Sequence, residues 1–311
     1  MEKRKVIHTV WLWLLGGAVL LPPLLLYSAA VTVFFCVLGA RRGKKDGNPP
    51  HVREMLEGYA AFFDRAKREE VFLTASDGTR LCGHIIEGED RGKFAILCHG
   101  YTMQARGIAG PASKFYEMGY SLLLPDARAH GKSEGRFIGM GWAERWDLIG
   151  WVNYLNQRYQ TPRVVLYGIS MGGATVMMAT GEELPPNVKA AVEDCGYTSV
   201  WEEFAHQMRH GFHVPPFPML HLVDRIARHR VGYGLKDASA IRQVAKSKTP
   251  TLFIHGEEDT FVPFAHLYRI FAAASCEKEM LPVPGAPHGL AAPTNPALYW
   301  GKVAEFLGKH V

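Results

Sequence analysis

Gly168-Ile169-Ser170-Met171-Gly172 follows directly on Val164-Val165-Leu166-Tyr167. The apolar, β-branched tetrapeptide predicts a buried strand, and Gly173-Ala174-Thr175-Val176-Met177-Met178-Ala179 behind it predicts a helix of small residues. A serine on a strand-to-helix turn of the form Gly-x-Ser-x-Gly is a nucleophile elbow. The two glycines remove Cβ atoms where strand and helix backbones approach, so the hydroxyl stands clear of the sheet. The helix behind it sets a positive dipole end near that hydroxyl, which favours developing negative charge.

Outward from this stretch the same rhythm repeats. Val71-Phe72-Leu73-Thr74 and Leu81-Cys82-Gly83-His84-Ile85-Ile86 flank Asp77-Gly78 and predict a hairpin. Phe94 to Cys98, Ser121 to Leu124, Ala190 to Glu193, Thr251 to Ile254 and Lys278 to Val283 are further short apolar runs. Helical patterns near Ala112–Glu117 and Trp142–Arg158 lie between them. Strands alternating with helices predict βαβ units and a mostly parallel sheet, made mixed by the first hairpin. The alternation breaks between Tyr197 and Lys246, where two amphipathic patterns (Trp201, Phe204, Met208; Leu220, Val223, Ile226) flank Phe212-His213-Val214-Pro215-Pro216-Phe217-Pro218. This segment, about 197–246, is expected to form a small helical cap over the carboxyl edge of the sheet.

A serine hydroxyl needs a base to take its proton and an acid to orient the base. After an elbow the expected chain order is serine, acid, histidine. Asp259 lies just beyond the Thr251–Ile254 strand and His288 just beyond the Lys278–Val283 strand. Loops at the carboxyl ends of parallel strands are where ligands bind in such sheets. Glu257, Glu258 and Asp194 are rival acids, with Asp194 read as structural. Developing oxyanion charge requires donors. The backbone N–H groups of Met171 and of Tyr101, in His99-Gly100-Tyr101-Thr102 after the Phe94–Cys98 strand, are the candidates. His99 is expected to support that loop, and Asp126 to Ser133 to be a structural loop. No metal or cofactor is expected. The five cysteines (Cys36, Cys82, Cys98, Cys195, Cys276) follow neither a zinc nor a disulfide spacing.

Taken together, His99-Gly100, Asp126 to Ser133 with Gly135, Gly168 to Gly172, His255-Gly256 with Asp259 and Val262-Pro263, and His288-Gly289 resemble the α/β-hydrolase superfamily from about Val71 onward. Asp194-Cys195-Gly196-Tyr197-Thr198-Ser199 and the N-terminal segment further resemble membrane-anchored bacterial serine aminopeptidase-like and Bem46-like hydrolases. The resemblance implies an α/β-hydrolase fold with Ser170 as nucleophile, Asp259 as acid and His288 as base. One departure is Ala129, where the family usually carries glycine. The superfamily supports many activities, so the fold does not name the substrate. Carboxylic esters or thioesters are the expected substrates, small and acylated or lipid-like. Peptides are the alternative, with Glu202 and Glu203 as candidate binders of a free amine. A binding module that lacks catalysis is a third reading.

The N-terminal 45 residues carry a different signal. From Val6 to Ala40 there is no charged residue, with Lys3-Arg4-Lys5 before and Arg41, Arg42, Lys44 and Lys45 after. The net charge of +5 owes much to these clusters, which point to membrane topology rather than to nucleic acid. Residues 1–45 are therefore expected to be an uncleaved transmembrane signal anchor, interrupted by Pro22-Pro23, that holds the protein to the cell membrane. A single span puts the catalytic domain outside the cytoplasm. A hairpin would put it inside. Residues 46–68 are expected to be a linker and amphipathic helix, and 69–311 the hydrolase domain.

Overall fold

The computed structural model describes residues 23–40 and 50–311. They fall into two compact units. One holds the described residues 23–39 with Phe204–Gly234. The other holds the described residues of Ala40–Glu203 with Leu235–Val311.

The larger unit is built on one eight-stranded sheet. In chain order the strands are β1 (Glu69–Thr74), β2 (Arg80–Ile86), β3 (Asp90–Cys98), β4 (Tyr120–Pro125), β5 (Arg163–Ile169), β6 (Val188–Asp194), β7 (Thr251–Gly256) and β8 (Lys278–Val283). Their spatial order is β1-β2-β4-β3-β5-β6-β7-β8. β1 pairs β2, and β2 pairs β4, in antiparallel fashion, while every other pair is parallel. The Asp77-Gly78 turn is held by Asp77 Oδ1, which accepts the Thr79 N–H at 3.1 Å, and by the positive φ of Gly78. Every residue of β4 is buried, as expected of strands covered on both faces. Along β3 and β5 the side chains alternate between two cores. Ala95, Leu97, Val165 and Tyr167 join one, and Phe94, Ile96, Val164 and Leu166 the other.

Helices α3 (Ala109–Glu117) and α8 (Pro296–His310) cover the first core through Phe115, Tyr299 and Phe306. Helices α4 (Glu144–Arg158) and α5 (Met171–Thr180) cover the second through Trp151, Leu155 and Val176. The amphipathic helix expected near 46–68 is α2 (Pro50–Arg65). It packs on α3, where a Cβ at Gly110 would stand 2.9 Å from the Tyr59 ring. Arg106 ties its exposed side down with ion pairs to Glu57 and Asp64.

The smaller unit contains a helix over residues 23–38, called α1, the end of α6 (Val200–His206), and α7 (Met219–Val231). α7 buries Leu220, Val223, Ile226 and Ala227 along one face. The expected membrane span is not found here: no helix among the described residues is long and apolar enough to cross a membrane. α1 covers only residues 23–38 of the expected span. It also buries Ala30, Phe34 and Leu38 at helical spacing, as a packed helix does. The first half of the expected span and both basic flanks lie outside the described residues.

Candidate active site

β5 ends at Ile169, and Ser170 takes φ 56° and ψ −117° before α5 begins. A non-glycine residue in that region carries strain of about 1–3 kcal/mol, held in place only by its surroundings. The surroundings here are specific. The Ser170 N–H donates to the Asp194 carbonyl at 2.7 Å, and the Ser170 carbonyl accepts the Ala174 N–H at 2.9 Å. A Cβ at Gly168 would lie 2.1 Å from the Gly172 carbonyl oxygen, and one at Gly172 would lie 2.0 Å from that of Cys98. Both glycines of the elbow are therefore required by close approach.

The structure brings Ser170, His288 and Asp259 together. His288 Nε2 lies 2.9 Å from Ser170 Oγ, and His288 Nδ1 lies 2.7 Å from Asp259 Oδ2. Each residue sits beyond the carboxyl end of its own strand: β5, β8 and β7. Asp259 Oδ1 accepts the N–H groups of Phe261 and Val262, both at 2.9 Å. Burial pushes the Asp259 carboxyl up, but hydrogen bonds from His255 and His288 outweigh it and hold the group at about 2. The rivals are elsewhere. Glu257 and Glu258 are exposed. Asp194 is buried and accepts the Tyr299 hydroxyl at 2.8 Å.

His255, not singled out as a working residue in the sequence, is a second partner of Asp259. Its Nε2 lies 3.1 Å from Asp259 Oδ2 and 3.0 Å from the Val262 carbonyl. Both are acceptors, so Nε2 carries the proton and shares it between them. Its Nδ1 is buried and makes no hydrogen bond. Burial disfavours charge on this imidazole, yet the Asp259 carboxylate outweighs burial and raises its pKa. The signal in the sequence was only that His255 precedes Gly256 in a matching motif. Its contact depends on the return of the chain through Val262.

The Tyr101 loop passes beside the elbow: a Cβ at Gly100 would lie 3.6 Å from Ser170 Cβ. Two buried histidines fix it. His99 Nδ1 donates to the Gly100 carbonyl at 2.8 Å, and its Nε2 accepts the Ala127 N–H at 3.0 Å. His130 Nδ1 donates to the Arg128 carbonyl at 2.9 Å, and its Nε2 accepts the Thr102 N–H at 3.1 Å. Each ring bridges the Gly100–Thr102 turn to the loop after β4. Burial keeps both neutral, lowering His99 and bringing His130 down to about 3. Asp126 completes the loop by accepting the N–H groups of Ala105 and Lys132. Met171 is the first residue of α5, directly after Ser170.

Two groups among the described residues have the makings of a metal site: Glu70 with Cys82 and His84, and Cys195 with Asp259 and His288. Glu70 is already paired with Lys132. Asp259 and both nitrogens of His288 are engaged with each other and with Ser170. The second group therefore has the contacts of a proton-transfer chain rather than of a ligand set.

Residues 113–311 match the prolyl oligopeptidase family. The protein YqkD of Bacillus subtilis is 26% identical over 258 residues, 82% of this chain and 85% of its own. The alpha/beta hydrolase domain-containing protein WAV2 of Arabidopsis thaliana is 24% identical over 262 residues, 78% of this chain and 79% of its own. Among solved structures, the Pyrococcus furiosus esterase Pf2001 is similar with a TM-score of 0.64 at 22% identity, covering 87% of this chain and 99% of that one. The esterase EaEST of Exiguobacterium antarcticum gives 0.57 at 17%, covering 77% and 100%. At such identities the structural likeness speaks to the fold.

Proposed function

Since this chain belongs to the prolyl oligopeptidase family and is a serine hydrolase of the α/β-hydrolase type, we propose that it cleaves carboxylic esters or thioesters through an acyl-enzyme on Ser170. The observation that carries this reading is the unbroken hydrogen-bond chain from Ser170 Oγ through His288 to Asp259 Oδ2. In the first half-reaction, Ser170 Oγ bonds to the substrate carbonyl carbon while His288 Nε2 takes the hydroxyl proton. The imidazolium so formed keeps its Nδ1–H on Asp259, whose ionised carboxylate stabilises the charge. The oxyanion lies against the N–H groups of Met171 and Tyr101. His288 then returns the proton to the departing alcohol or thiol as the carbonyl reforms. In the second half, water gives its proton to His288 and its oxygen to the acyl carbon, and Ser170 is released with its hydroxyl restored.

Ester over peptide is supported by Glu202. As a receptor for a substrate amine it should be free, but Arg269 holds both of its oxygens, at 2.6 and 3.0 Å, and Thr198 donates to one at 2.7 Å. The enzyme is attached to a membrane through its N-terminal apolar segment, a placement supported by the charge-free run from Val6 to Ala40 between basic clusters.

The test is a panel of nitrophenyl acyl esters, acyl thioesters and aminoacyl amides against the full chain and Ser170→Ala. Turnover of the acyl substrates, falling by at least about 10³-fold in the variant, and labelling of Ser170 by a fluorophosphonate are the expected results. Turnover confined to the aminoacyl amides would favour a peptidase, and unchanged ester turnover in Ser170→Ala would remove the proposal.

A further inference from the structure

The smaller unit shows water an unusual surface. Ala30, Phe34 and Leu38 are buried, while Leu24, Leu25, Tyr27 and Phe35 of α1 are exposed. Between α6 and α7 the chain runs Arg209-His210-Gly211-Phe212-His213-Val214-Pro215-Pro216-Phe217. Phe212 is 72% exposed and Phe217 70%, with Val214 exposed between them. Isolated apolar residues on a surface are ordinary, but apolar residues concentrated in one small unit mark an interaction site.

The charge around these side chains says what the partner is. Phe204–Gly234 carries four arginines (Arg209, Arg225, Arg228, Arg230) and five histidines against one acid, Asp224, which pairs with Arg228 at 3.3 Å. Arg209, Arg225 and Arg230 are exposed. Apolar side chains at a loop tip, set among arginines, match an interface whose outer layer is anionic and whose inner layer is hydrocarbon. α1 is also the described end of the charge-free run, and it lies in the same compact unit as the loop.

We propose that this unit is an interfacial membrane-docking module, in which Phe212, Val214, Phe217 and the exposed residues of α1 enter the headgroup–acyl boundary of an anionic bilayer. Arg209, Arg225 and Arg230 pair with the lipid phosphates. The inference rests on the membrane placement proposed above and adds a second contact, supplied by the insertion between β6 and β7.

The experiment uses the full chain carrying Cys36→Ser and Cys276→Ser, with Val214→Cys labelled by bimane. Fluorophosphonate labelling of Ser170 checks that the labelled protein is folded, and His213→Cys serves as a second reporter. The protein is floated with phosphatidylglycerol–phosphatidylcholine vesicles, with or without brominated acyl chains. The expected result is co-flotation with loss of about half or more of the bimane emission in brominated lipid, as a depth of about 5–10 Å requires. Arg225→Glu with Arg230→Glu should weaken that loss. Co-flotation with unquenched bimane at both positions overturns the docking module, leaves the N-terminal attachment standing, and gives the loop to a protein partner. Failure to float overturns both.

Discussion

At the residue scale, Asp259, the proposed acid, has two imidazole partners. Asp259 Oδ2 accepts from His288 at 2.7 Å and from His255 at 3.1 Å. His255 therefore helps keep ionised the carboxylate that the proposed reaction needs beneath His288. In His255→Gln the amide keeps a donor near Asp259 but cannot become cationic, and kcat should stay within a few-fold while the acid limb of kcat/KM moves to higher pH. His255→Leu removes the donor altogether. A hydrogen bond to a charged group is worth about 1.5–3 kcal/mol, so kcat should fall about tenfold or more. A role in packing alone would leave the pH profile of both variants where it was. Ser170, Asp259 and His288 were legible in the sequence because each follows a short apolar run, and a parallel sheet brings the ends of such runs to one edge. Burial separates Asp259 from its rivals Glu257 and Glu258, with Asp259 turned inward and the glutamates in water. His255 was not legible as a partner of Asp259. Its role follows from the path of the 257–262 loop, which no spacing encodes.

At the scale of the element, the loop after β4 shows what a departure from the family pattern costs. Ala129 sits at φ 62° with its N–H on the Glu134 carbonyl, and it is fully buried. The left-handed region costs an alanine about 1–2 kcal/mol, partly offset because glycine loses more entropy on folding. Ala129→Gly should therefore stabilise the protein by about 0.5–1 kcal/mol, read as a higher urea midpoint with unchanged ester turnover. A lower midpoint would mean that the methyl packs better than the backbone is strained. α1 gives the opposite lesson about legibility. Its buried residues Ala30, Phe34 and Leu38 follow helical spacing, but in a run where nearly every position is apolar, periodicity carries no contrast. Length and hydropathy there read as a span, and the described part of the run forms a helix that buries these three residues.

Across the whole molecule, buried ionisable groups bound the pH range of stability on both sides. Burial holds Glu193 up at about 8 against a usual 4.5, so the folded protein keeps a proton that the unfolded chain releases. Stability from this site is full below about pH 4.5 and is lost as pH rises towards 8. His130 runs the other way. It stays neutral down to about 3 against a usual 6.5, so its contribution is lost as pH falls through that window. Glu193→Gln should flatten the alkaline side of a plot of melting temperature against pH and leave the acid side as it was. An unchanged alkaline slope would place the titration elsewhere. The order of the strands has one more consequence, in the making of the protein. Ser170 and His288 are 118 residues apart, and β8 is the last of the eight strands to be synthesised. Domains form as the chain emerges, and a nascent chain that has completed β5 already has its serine but neither the acid nor the base. It can present an elbow but cannot acylate it. Hydrolysis therefore begins only once β7 and β8 have joined the sheet, and a growing polypeptide is inert towards the substrates of the finished enzyme.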